Sequence, residues 1–254
     1  MNIDVMDLQL EEISMMQLGD SFFPTGMYTT SSGLESLFYN RKIKDKQKIL
    51  EFISVSLKYQ IGPADCTALS NAYHFAKISD LQAVIDIDKL LFSMKLVKEI
   101  RDASTRSGTQ LLSCVSSFVN ESITDDVAAN LIHDNVLTPA KLVSSYYNAI
   151  KNKTAHGIYP VALAVASNAL NIRKERACML LLYGFTVSIV GAALRLGMLQ
   201  HFEGQQIIHS LKPVMIEVIK TNIDRPFSHM WQFAPGIDIL QITHERMDSK
   251  MFIT

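Results

Sequence analysis

The sequence has few of the residues and motifs that mark catalytic or metal chemistry. Its 254 residues include three cysteines, Cys66, Cys114 and Cys178, far apart and without a CxxC pair. That excludes a zinc ribbon or a thioredoxin-type motif and fits buried free thiols in a reducing cytosol. No GxxxxGK[ST] phosphate loop, GxGxxG fingerprint or GxSxG nucleophile elbow occurs. Seven histidines, His74, His133, His156, His201, His209, His229 and His244, form no i,i+4 pair, and His244-Glu245 lacks the second histidine of HExxH. Asp86/Asp88 and Asp125/Asp126 read most simply as solvated helix faces or caps. Charge of one sign is missing too. With 24 Lys+Arg against 25 Asp+Glu the net charge is −1, which argues against a general nucleic-acid binder. The acidic N-terminus, MNIDVMDLQLEE, has no long apolar core and is not a secretory signal.

What the sequence has is apolar, helical punctuation. A chain of this size buries roughly 70–75% of its unfolded surface and needs no covalent staples. Helical spacing runs through residues 8–18, and Asp45 is placed to cap a helix over about 46–60. Gly62-Pro63 is expected to stop that helix and start another, to about Lys77. Ser79 can cap the next, and residues 95–118 form a longer one with Gly108 inside it. Thr138-Pro139 opens a helix to about Asn152, and His156-Gly157 precedes one over 158–170. A helix over about 173–196 is followed by one from Glu203 to about Asn222, which Pro213 is expected to break or kink. No strand alternation, repeat or low-complexity linker stands out. The class is all-α, a helical bundle of about eight to ten helices. Residues 1–235 are read as its core and 236–254 as a tail.

Between Arg176 and Arg195 lie eighteen uncharged residues, ACMLLLYGFTVSIVGAAL. That is close to the lower limit for a membrane span, about 17–25 residues. The other reading is a central helix surrounded by its neighbours. The absence of a second such segment favours burial, with Gly184, Ser188 and Gly191 lining a face that another helix approaches closely.

Three stretches are unusual. DSFFPTGMYTTSSGLES, Asp20 to Ser36, is longer and more apolar than an ordinary helix–helix connection of about two to eight residues. Phe22 and Phe23 are expected to anchor it, Tyr28, Thr29 and Thr30 to face outward, and Ser32 to Glu35 to form a capping box. KEIRDASTRSG, Lys98 to Gly108, combines i,i+4 charge pairs with small residues. A solvated face with close helix packing explains it as well as a ligand does. The ending is interrupted by Pro226, Pro235 and Gly236, yet stays apolar to Ile253. It is expected to be loosely docked and to order against a partner, with Phe252 as anchor and Lys250 at the rim. The opposite reading, a tail permanently packed on its own domain, stands beside it.

Four blocks together resemble the UreF family of urease accessory proteins. LGDSFFPTGMYTTSSGLES is similar to the family's DS-x-x-P-x-G-x-x-x-H-S-x-G-L-E opening, and EIRDASTRSGTQLL resembles its ER-x-AS-x-x-x-G-x-x-LL run. HGIYPVALAVASNAL is similar to the H-x-P-V segment before the family's central helix. PGIDILQITHERMDSKMFIT resembles the D-I-x-x-x-x-HE-x-x-x-SRLF-x-S ending. Two departures are visible: Thr30 stands at the family's opening histidine and Lys250 at its terminal arginine, so charge is kept but the bidentate fork is lost. The resemblance implies an all-α, often dimeric, cytoplasmic protein without catalytic activity or cofactor of its own. It implies assembly with the UreD/UreH scaffold and the UreG GTPase on apo-urease to assist nickel insertion, with no nucleic-acid or membrane partner. The partner-binding residues carried over are Tyr28, Thr30, Ser31, Gly33, Glu35, Arg101, Ser104, Gly108, His244, Glu245, Lys250 and Phe252. Two other classes remain beside it: a membrane-associated helical protein, and a helical hydrolase.

Overall fold

The computed structural model describes residues 5–26, 30–40, 45–119 and 137–254. Tyr28, Thr29, Asp125, Asp126 and His133 lie outside the described residues, and with them the outward presentation expected of Tyr28. Every regular element among the described residues is helical: α1 (Val5–Gly19), α2 (Leu34–Tyr39), α3 (Lys46–Ser56), α4 (Thr67–Lys77), α5 (Leu81–Met94), α6 (Lys98–Val119), α7 (Pro139–Lys151), α8 (Tyr159–Ala169), α9 (Lys174–Arg195), α10 (His201–Asn222) and α11 (Pro235–Glu245).

Several boundaries follow from local chemistry. Asp45 accepts the Lys48 amide at 2.9 Å to open α3, and Thr138 accepts the Lys141 amide at 3.3 Å ahead of Pro139 in α7. Asp80, rather than Ser79, caps α5 by accepting from the Ala83 amide. Ser79 instead takes a left-handed φ of 62° and donates to the Leu137 carbonyl.

The prolines act differently from expectation. Gly62-Pro63 does not end a helix: α3 continues through a π-helical segment, Leu57–Cys66, directly into α4. In an α-helix Pro63 would leave the Tyr59 carbonyl without its donor. Here that carbonyl accepts the Phe233 amide at 2.9 Å, and the Pro63 carbonyl accepts the Trp231 amide at 3.3 Å. The stretch before α11 thus supplies donors to two carbonyls of the π-helical segment. Pro213 lies inside α10 without ending it. Both it and His209, one turn earlier, are exposed, so the carbonyl that Pro213 leaves unbonded faces water.

The innermost helix is α8, with every residue from Pro160 to Asn168 buried. It packs between α4 and α6. Its entry is fixed by the buried Asp88, which accepts the Ile158 amide and the Tyr146 hydroxyl, both at 2.8 Å, and the His156 amide. Gly108 is what lets α6 lie so close: a side chain there would be driven into the Gly157 carbonyl and Ala162.

The long apolar helix is α9, the one helix among the described residues long and apolar enough to cross a membrane. It is a core helix, with 61% of its most apolar window buried against α10, α8, α4, α1 and the π-segment. It is not enclosed on every side. A side chain at Gly184 or Gly191 would meet nothing within 4 Å, so the close approach expected there is absent. Of that trio only Ser188 is fully packed, against Thr30.

Candidate functional site

The opening stretch is built to bring a carboxylate inside. Phe23 is buried and anchors it, whereas Phe22 points into solvent, so only one of the two phenylalanines is an anchor. Ser32 and Gly33 both take left-handed φ values, 51° and 93°, and turn the chain sharply into α2. A side chain at Gly33 would lie 3.2–3.3 Å from Gln241 and Leu240, so glycine suits both the turn and the passage of α11. The expected capping box does not form. The hydroxyl at the start of α2 is that of Ser31, which accepts the Glu35 amide at 3.5 Å. Glu35 turns inward instead and is fully buried.

Around Glu35 the two ends of the chain meet. His244, from the last turn of α11, is also fully buried. Its Nε2 lies 2.8 Å from Glu35 Oε2 and its Nδ1 lies 2.9 Å from Glu99 Oε2, at the start of α6. Each ring nitrogen thus faces a carboxylate oxygen within hydrogen-bond distance. Glu35 also accepts two successive tail amides, Met251 at 2.7 Å and Phe252 at 3.2 Å. Lys250 bridges to Glu99 and donates to the Glu245 carbonyl at 3.0 Å. Phe252 is buried beneath the Arg195 guanidinium, 4.4 Å from the ring centre. The Ser31 amide donates to the Thr254 carbonyl at 2.7 Å. Thr30 joins through its hydroxyl, 2.9 Å from that of Ser188. Burial pushes the Glu99 carboxyl up, but the hydrogen bonds and charges of Lys250 and His244 outweigh it and hold it below the usual carboxylate range.

This is a latch. Two carboxylates from α2 and α6 grip one imidazole, one lysine and two backbone amides of the C-terminal segment. The structure thus holds the end of residues 236–254 docked on its own domain, the second of the two readings of the tail. Glu35 supplies two acceptors to a tail with few other backbone partners, and burial of Phe252 adds apolar contact. Both ring nitrogens of His244 are taken, so it offers no lone pair to a metal. Among the described residues no group of three or more His, Cys, Asp and Glu could hold one.

The sites expected from sequence thus divide. Thr30, Ser31, Gly33, Glu35, His244, Lys250 and Phe252 converge on the latch. Glu245 shares it through its carbonyl, with its side chain exposed. Arg101, Ser104 and Gly108 do not: they hold the core together. Arg101 donates to the carbonyls of Lys95 and Leu96 and lies over Phe92, which stacks on His156 at 3.6 Å. Ser104 accepts the Tyr159 amide at 3.1 Å at the head of α8. Sequence reasoning missed Glu99 as a latch residue, although it begins the second block. It also missed the buried pair Asp65–Lys95, which lines a cavity of about 90 Å³ behind Thr30, Ser32 and Thr254. Burial raises the Asp65 carboxyl, and Lys95 offsets this only in part.

Comparison with known proteins places these features in a family. The UreF family model matches residues 43–212. A urease accessory protein UreF from Trichodesmium erythraeum (strain IMS101) is 31% identical over 242 residues, covering 95% of this chain and 96% of its own. One from Bacillus sp. (strain TB-90) is 27% identical, covering 95% and 98%. Urease accessory protein UreF 1 of Brucella melitensis biotype 1 is 29% identical, covering 95% and 92%. The latch residues of the opening and the tail lie outside the span matched by the family model.

Proposed function

The chain belongs to the UreF family of urease accessory proteins, and on that premise we propose that it is a non-catalytic maturation chaperone. It assembles with a UreD/UreH scaffold and a UreG GTPase on apo-urease and assists nickel insertion, in the cytoplasm and as a possible homodimer. The observation that carries this reading is the use to which its buried carboxylates are put. Buried Glu35, Asp88 and Glu11, and with them half-buried Glu99, all hold side chains or amides of the same chain. That is a scaffold's use of charge, and it supports a role in presenting surfaces. The latch displays such a surface: around buried Phe252 lie exposed Met251 and Ile253, with Ile239 and Ile242 on the outer side of α11.

The test is reconstitution. The purified chain is mixed with UreD/UreH, UreG and apo-urease, and urease activity is followed after nickel and GTP are added. The expected result is a complex containing the chain and activation that depends on it. Recovery of none of the three components, or activation unchanged by omitting the chain, overturns the reading.

A further inference from the structure

Helix α1 is fastened on one side and open on the other. Its inner side is tied by Glu11, which accepts the Arg173 amide at 2.8 Å and pairs with the Arg173 and Arg176 guanidiniums at 3.0 and 3.2 Å, and by buried Leu18. Its outer side carries Met6, Leu10, Ile13 and Met16, each more than half exposed, at spacings of four, three and three. Val5 lies beside them, and Phe22, just beyond the helix, is almost wholly exposed. Spacing of this kind makes one continuous apolar stripe. A stripe this large on a surface helix marks an interaction face, and methionines adapt well to a partner's shape.

Charge selects the occupant. The first forty residues contain Asp4, Asp7, Glu11, Glu12, Asp20 and Glu35 and no lysine or arginine. Glu11 and Glu35 are buried and Glu12 is exposed but pairs with Arg176 at 3.5 Å, whereas Asp7 and Asp20 are exposed near the two ends of the stripe. A helix that lies on lipid carries Lys and Arg on its polar face, and this one has neither. Two copies pairing stripe to stripe would set these acids against each other. We propose that the outer face of α1 seats lengthwise in an apolar groove, rimmed by lysine or arginine, on a partner protein of another kind. This is a second docking surface, separate from the tail latch. It rests on the urease-accessory reading only for the choice of partners to test.

The experiment immobilises purified apo-urease, UreD/UreH and UreG in turn and measures binding of the full chain and of its Ile13→Asp and Leu10→Ser variants. Both positions are exposed, and thermal denaturation checks that folding is kept. The expected result is a loss of about tenfold or more in affinity for one component with Ile13→Asp, and a smaller loss with Leu10→Ser. Wild-type affinity for that component should fall as salt rises from about 50 to about 300 mM, because the acidic rim is screened. Unchanged binding of every component by both variants overturns this proposal and leaves the accessory role standing. A change confined to self-association or to binding of anionic vesicles also overturns it. Failure of the wild-type chain to bind any of the three overturns the accessory role, and this proposal with it.

Discussion

His244 between Glu35 and Glu99 is the point where a single substitution reaches furthest. Removing one partner of a buried hydrogen bond leaves the other unsatisfied, a loss of about 1–3 kcal/mol. Glu35→Ala removes the acceptor of His244 and of two tail amides together, so it should destabilise at the upper end of that range. Equilibrium urea denaturation checks this. The local sequence invited a different reading of Glu35, as the far end of a capping box, and no short-range rule could have corrected it. Its partners lie some two hundred residues downstream. Acid should act on the same group of residues. The folded-state pKa of Glu99 is held below its unfolded value, so its contribution is complete above the unfolded range, near pH 4.3. It is lost as pH falls through the lowered folded value. Glu99→Gln should therefore lower stability at neutral pH and flatten the acid limb of the stability profile. Equal acid slopes in the two proteins, measured by denaturation between about pH 2.5 and 7, would contradict the assignment.

Among the helices, what could be read in advance was whatever depends on neighbours in sequence. Asp45, Thr138-Pro139 and the uncharged run of α9 located their elements because caps and periodicity act within a few residues. Pro63 was misleading because the chain passes through it as a π-helical segment, whose Tyr59 and Pro63 carbonyls are met by Phe233 and Trp231, distant in the chain. The glycines separate the same way. Spacing along one face suggested that Gly191 in α9 was a packing glycine, yet a side chain there meets nothing, while Gly108 in α6 sits against α8. Gly108→Ala should overpack the contact and cost about 1–3 kcal/mol. Gly191→Ala should be neutral or stabilising by up to about 1 kcal/mol, since it replaces a flexible residue inside a helix. Thermal denaturation of the two variants side by side should move the melting temperature in opposite directions, or move only that of Gly108→Ala.

On the scale of the whole molecule the family blocks acquire a physical sense. The opening and ending blocks are far apart in the chain yet form one latch, and the block that begins at Glu99 supplies its other carboxylate. All-α character and the central helices were legible because burial imposes a pattern on each segment; the latch was not, because it exists only once the ends are brought together. The tail is then part of the fold and, on the proposed function, also part of the surface offered to partners. These two roles can be separated by exchange of single amides. In the free chain the Met251 and Phe252 amides, both donated to Glu35, should exchange much more slowly than unstructured amides, and Glu35→Ala should release them. Exchange of these two amides at the unstructured rate in the wild-type chain would show that the latch is open in solution. If they are protected in the free chain and exchange faster when UreD/UreH is added, the partner takes the tail from Glu35, and the latch is the element through which binding at one end of the chain is felt at the other.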